Sequence, residues 1–198
     1  MLNINSFLYS LYNDVSASSI SHAYRKKHGL THDQTLVYGE SHLPSLHEIF
    51  NEVKPKPGEV FYDFGSGGGR VVLLAALGFP FSKSVGVELL DDLVSLSQTK
   101  LELLKKEFPD LPCKVEFIQA DFTTINTRDA DIVYMASTCF GDKMMESLAM
   151  LLEEQLSSGA RVITLTKNLP SKKFKITKKQ VYPMEWGSAT IFFHEKLL

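Results

Sequence analysis

Two hydrophobic rhythms alternate along the chain. Val60, Phe61, Tyr62 and Phe64 make a compact apolar run that predicts a buried strand, and similar short runs follow at residues 84–88, 115–118, 131–135 and 161–166. Between them apolar positions recur every three or four residues, the spacing of a helix with one buried face. Residues 71–77 are apolar throughout, Leu90, Val94, Leu101, Leu104 and Phe108 stripe a long helix in which Ser97 is the polar exception, and Met145, Leu148, Ala149, Leu152 and Leu156 stripe another. Upstream, Phe7, Leu8, Leu11 and Tyr12 share one face, residues 16–28 form a more polar helix stopped by Gly29, and Pro44 opens a helix carrying Leu46, Ile49, Phe50 and Val53. Pro55 and Pro57 close that helix, and Gly159 closes the one before the fifth strand. The end of the chain breaks the alternation, because residues 174–181 and 189–194 read as two strands with no helix between them. The pattern predicts an α/β fold: a seven-stranded, mostly parallel sheet, helices on both faces, the last strand antiparallel, and a small helical preface. We divide it into a helical segment at 1–35 and a main domain at 36–198.

The connection after the first strand carries the candidate chemistry. It reads Asp63-Phe64-Gly65-Ser66-Gly67-Gly68-Gly69-Arg70, leading into the apolar helix. Strand, glycine turn and helix build a nucleotide-binding crevice, with the helix N-terminus toward the ligand. Arg70 stands where a dinucleotide fingerprint needs its third glycine, which argues against NAD. An acid followed by glycines at alternate positions suits a ligand with a cationic group; the bland alternative is a turn needed only for folding. Glu88 and Asp121 also sit at strand ends, where open α/β sheets bind ligands. Glu88 can accept hydrogen bonds from ribose hydroxyls, and Asp121 from an adenine amine with the Phe122 ring beside it.

Composition narrows the picture. The 198 residues are 44% hydrophobic, enough for one sizeable core, and a formal charge of −2 gives no global attraction to nucleic acid or anionic lipid. Apolar runs stay below membrane-spanning length, and neither a secretory signal nor a disulfide framework is visible, so a reducing compartment, cytoplasm or nucleus, is expected. Cys113, Cys139 and the six histidines lack metal-ligand spacing, and no metal is expected. One basic cluster, Lys172, Lys173, Lys175, Lys178 and Lys179, reads as a solvated edge strand, so nucleic-acid contact is weak at most.

The Asp63-to-Gly69 spacing resembles the first motif of the Rossmann-like methyltransferases that use S-adenosyl-L-methionine. Tyr38-Gly39-Glu40, the segment 61–69, Val85-Gly86-Val87-Glu88, Asp121-Phe122 and the ending Trp186-Gly187 resemble, more narrowly, the non-SET histone-lysine methyltransferases of the disruptor-of-telomeric-silencing type. The resemblance implies a protein-lysine N-methyltransferase acting on a histone or another protein. Tyr38, Glu40 and Ser41 would then form a loop over the methionine end of the cofactor, while Asp63, Gly65, Ser66, Gly67 and Gly69 would line its amino-acid part. Glu88 would hold the ribose, and Asp121 with Phe122 the adenine. Tyr134, Phe140, Trp186 and Phe192 are expected to line the lysine channel, where cation–π attraction would favour an ammonium and apolar walls the neutral amine that attacks. Two departures stand out. Ala136 replaces the asparagine usually found beside the transferring methyl, and the family's basic DNA-binding tail is absent. A non-catalytic adenosine-ligand sensor or scaffold, and a small-molecule methyltransferase, are the alternatives.

Overall fold

The structure is a computed structural model that describes residues 3–198, so the first two positions of the expected preface lie outside the described residues. Seven strands form one sheet: β1 (Val60–Phe64), β2 (Lys83–Glu88), β3 (Lys114–Gln119), β4 (Ile132–Met135), β5 (Arg161–Leu165), β6 (Phe174–Met184) and β7 (Gly187–Lys196). Their order is β3-β2-β1-β4-β5-β7-β6. The first five are parallel, and β7 lies antiparallel between β5 and β6. From β1 the chain winds outward through β2 and β3, then returns to place β4 and β5 on the other side. That reversal opens a crevice above the C-terminal ends of β1 and β4, where ligands of such sheets bind.

Alternation along each strand sends side chains to opposite layers. Phe61, Ile132 and Ile163 pack into a core with α1 (Ile4–Leu11), α3 (Leu43–Val53), α4 (Arg70–Gly78) and α5 (Asp91–Glu107). Tyr62, Phe64, Val133 and Val162 face the other layer, where α6 (Asp142–Gln155) supplies Met145, Leu148, Ala149 and Leu152. Helices therefore cover both faces, but unequally.

The polar exception on α5 is explained by this packing. Ser97 is fully buried, and its hydroxyl donates to the carbonyls of Gly67 (3.0 Å) and Leu93 (2.9 Å), tying the helix to the glycine turn. The last two strands run longer than their apolar cores predicted, to Met184 and Lys196; Pro183 is tolerated because β6 is an edge strand. The N-terminal helices pack into the same body. Leu8 of α1 and Tyr12 at its C-cap belong to the larger core, the Tyr12 hydroxyl donates to the Gly68 carbonyl at 2.7 Å, and Ala17 of α2 (Ala17–Lys27) meets Leu90 and Leu93. Among the described residues no helix is long and apolar enough to cross a membrane.

Candidate functional site

A cavity of about 480 Å³ lies over the ends of β1, β2, β3 and β4. The segment between α2 and α3 roofs it, with Asp33, Thr35 and residues 36–41 in its lining. The glycines beneath divide their tasks. At Gly65 (φ +80°) a side chain would meet open space, so this is where the turn's backbone is bare toward the cavity. Gly67 and Gly69 stand outside the lining of this cavity. A Cβ on Gly67 would lie 2.3 Å from the Tyr38 ring, and one on Gly69 would strike Phe117 and the Ser97 hydroxyl. Gly67 thus makes room for the roof, and Gly69 for helix–sheet packing.

Three carboxylates and one guanidinium set the electrostatics. Asp63 is 2% exposed and lines the cavity, and its carboxylate makes no hydrogen bond or ion pair among the described residues. Burial pushes its carboxyl well above the usual range, and Glu88 and Glu40 push it further. Glu88 accepts the N–H groups of Gly67 (2.8 Å), Leu89 (2.8 Å) and Leu90 (3.0 Å), so it organises the turn as well as facing the cavity. Burial raises its carboxyl too, against those three donors. Glu40 accepts the Tyr38 hydroxyl at 2.8 Å and pairs with Arg70 at 3.4 Å. Its carboxyl also rises through burial, opposed by Arg70. The Arg70 guanidinium lies 4.9 Å from the Tyr12 ring centre and 5.9 Å from that of Tyr9, so α1 backs it. Arg70 is a site residue that sequence reasoning missed; the signal was there, a cation directly after the glycines, but it served only to exclude a dinucleotide.

This set fits S-adenosyl-L-methionine. Its ammonium and sulfonium answer an excess of buried carboxylate, its carboxylate answers Arg70, and Ser66 adds a buried hydroxyl with no partner in the cavity lining. The adenine end fits equally. One oxygen of Asp121 caps the 3₁₀ turn Phe122–Thr124 by accepting from the Thr123 amide (2.8 Å) and hydroxyl (2.7 Å), which leaves the other oxygen for a ligand. The Phe122 ring stacks on Phe64 at 5.3 Å, and Phe140 lies 5.7 Å from Phe122. Phe140 thus lines the cavity beside the Phe122–Phe64 stack.

The remaining channel residues separate. Tyr134 lines the cavity from below, its hydroxyl 3.3 Å from that of Ser41 and its ring edge-on to Phe50. Trp186, 42% exposed, lies against Gly39, where an added Cβ would be 3.2 Å from its ring. Phe192 does not line the cavity. It stands on β7 opposite Thr164, its ring 5.3 Å from the Lys179 ammonium and 6.3 Å from the His194 ring. It is half-buried between Ile191 and Phe193, which turn into the larger core.

Three of the five lysines in the cluster at 172–179 pair with acids. Lys173 pairs with Glu153 (3.5 Å), Lys175 with Glu195 (3.2 Å) and Lys178 with Glu52 (2.7 Å). Among the described residues no group of histidine, cysteine and acidic side chains could hold a metal.

Comparison with known proteins agrees with this geometry. Residues 19–185 match the family described as "Histone methylation protein DOT1". An H3 lysine-79 specific histone-lysine N-methyltransferase from Dictyostelium discoideum is 31% identical over 192 residues, covering 89% of this chain and 10% of that protein. The one from Caenorhabditis elegans is 32% identical over 149 residues, covering 71% and 16%. The chain thus spans a small part of these relatives. An RNA methyltransferase from Salinibacter ruber, solved with S-adenosyl-L-homocysteine, shares the fold (TM-score 0.63, 24% identity, 78% of this chain and 91% of that one). The sheet is a Rossmann-like methyltransferase sheet, and the chain belongs to the DOT1 histone methylation family.

Proposed function

We propose that the chain is an S-adenosyl-L-methionine-dependent protein-lysine N-methyltransferase domain. The observation that carries this reading is the cluster of Glu40, Asp63, Glu88 and Arg70 in one crevice at the sheet's switch point. Bound there, the cofactor supplies a methyl group on a cationic sulfur. Asp63 accepts from the ammonium, Arg70 holds the carboxylate, Glu88 accepts from a ribose hydroxyl, and the free oxygen of Asp121 accepts from the adenine amine. Phe122 and Phe140 flank the base. The relatives named for histone H3 lysine 79 support a lysine in a protein as acceptor, in histone H3 or another protein, and hence a nuclear or cytoplasmic setting. The acid partners of Lys173, Lys175 and Lys178 support a weak contribution from nucleic acid.

Residues 136–140 hold no carboxylate or histidine, so this wall offers no general base. The acceptor nitrogen must therefore arrive neutral, having lost its proton to solvent, and apolar walls favour that form. A free lysine with a pKa of about 10.4 is neutral in only about one molecule per thousand near pH 7.5. With saturating cofactor and limiting recombinant histone H3, in nucleosomes or free, the rate of labelled-methyl transfer should rise about tenfold per pH unit from pH 7 to 9. A flat profile with transfer rate-limiting would remove an unactivated lysine as acceptor. Tight cofactor binding with no transfer to nucleosomes or whole-cell protein would instead favour the sensor reading, for which Ala136 is the motivating observation.

A further inference from the structure

Thr166 is the outlier of the backbone. It and Lys54 are the non-glycine residues with positive φ among the described residues, and Lys54 (φ +48°) merely caps α3. Thr166 has φ +66° although its side chain branches at Cβ, a conformation L residues with that shape avoid. It is the centre of a three-residue turn: the Lys167 N–H donates to the Leu165 carbonyl at 2.7 Å, the hydrogen bond of a γ-turn with the strained sign of φ. The surroundings over-determine it. The Thr166 N–H donates to Thr190 at 2.7 Å, and the Thr164 hydroxyl donates to the Lys167 carbonyl at 2.5 Å. Strain held this firmly beside a cavity calls for a use.

The turn brings the Thr166 hydroxyl to 3.0 Å from that of Thr138. Thr138 lines the cavity from the 3₁₀ turn Ser137–Cys139, directly after Ala136. That turn is bolted to β5: the buried Ser137 hydroxyl donates to the Leu165 carbonyl (2.7 Å) and accepts the Leu165 N–H (3.1 Å). Ala136 itself brings no polar group to the wall. Ligand groups held at the ends of β3, β2 and β1 leave the end of β4, with Thr138, as the next wall that the reacting end can face.

We propose that Thr138 orients the acceptor nitrogen and that Thr166 is a positioning residue that fixes the Thr138 hydroxyl. Two hydroxyls bonded to each other retain one donor and three acceptor sites. Thr138 accepts an N–H of the incoming amine, which aims the nitrogen lone pair at the methyl carbon. The nitrogen–carbon bond forms as the sulfur–carbon bond breaks, and the amine's surplus proton leaves to solvent. This inference rests on the methyltransferase reading above.

The test needs no identified substrate. Sinefungin carries an amine in place of the sulfonium methyl, whereas S-adenosylhomocysteine carries nothing there. Calorimetry on the full chain compares the two ligands in wild type, Thr138→Val, Thr166→Gly and Thr166→Ser. Thr138→Val should weaken sinefungin about threefold to tenfold, the effect of one hydrogen bond, and leave S-adenosylhomocysteine unchanged. Thr166→Gly relieves the strained φ, so it should melt no lower than wild type while showing the same selective loss. Thr166→Ser should restore sinefungin binding. Equal losses for both ligands, or no loss for sinefungin, would overturn the assignment with the methyltransferase reading intact. Failure of the wild type to bind either ligand would overturn both.

Discussion

The two ends of the cavity are built differently. The end we assign to the cofactor is built from side chains at strand termini; Glu88, holding three amides of the turn and its own loop, shows how backbone can fix them. The wall we propose for the acceptor is assembled from segments distant in sequence: the turn at 137–139, the loop after β5, and Trp186 at the β6–β7 hairpin, all under the roof at 36–41. The first end can be rigid before any ligand arrives. The second has its geometry only when four separate pieces are docked, and Tyr38 and Thr166 are the residues that dock them.

Removing the keystone of the first end should have the largest effect. Glu88→Ala strands three amides, two of them against buried residues, so both folding and binding suffer. Each unpaired buried donor costs about 1–3 kcal/mol, less where water reaches it, so we expect about 2–4 kcal/mol of lost stability and about a hundredfold weaker S-adenosylhomocysteine binding. Denaturant melts paired with calorimetry check this. Wild-type stability with only affinity lost would mean that Glu88 serves the ligand alone.

A smaller effect should show where the two ends meet. Gly67→Ala places a Cβ against the Tyr38 ring at a positive φ, and should cost about 2 kcal/mol through displaced roof and strained backbone. Tyr38→Ala removes the obstacle together with the hydrogen bond to Glu40. The double variant should then be more stable than the sum of the singles by about 1 kcal/mol, a coupling a denaturant double-mutant cycle can read. Additive losses would return Gly67 to the role expected from its motif, close approach of the ligand.

This contrast also explains what the sequence revealed. The strands, the helix faces and the strand-end positions of Asp63, Glu88 and Asp121 were readable because each depends on neighbours within a few residues. Ser97 looked like a flaw in its stripe and proved to be a tie to Gly67, a contact 30 residues away. Phe140 and Phe192 could not be placed from sequence for one reason: aromatic character says that a ring is buried, not what it faces. Phe140 turned to the Phe122–Phe64 stack and Phe192 to the far side of β7. Thr166 carried no signal at all, since its φ is imposed by tertiary hydrogen bonds.

The mildest test titrates the first end without changing its shape. Asp63 carries a raised carboxyl because it is buried and faces Glu88 and Glu40, with Arg70 the cation in the same cavity. An ammonium arriving beside it favours the carboxylate, so binding must expel whatever proton Asp63 holds. Affinity for S-adenosylhomocysteine should therefore fall as pH drops through the free protein's Asp63 value, by about tenfold per unit at most. It should fall again above about pH 8, where the ligand's own amino group loses its proton. Asp63→Asn should bind more weakly at neutral pH and lose most of the acid limb, with Glu40 and Glu88 supplying what remains. Stability gives an independent sign. A carboxyl raised by folding opposes folding at pH values above its unfolded value of about 3.9, so the ligand-free Asn variant should melt higher than wild type at pH 7. Superimposable affinity profiles for the two proteins between pH 5 and 7, with equal melting temperatures, would show that Asp63 is not the carboxylate awaiting the cation.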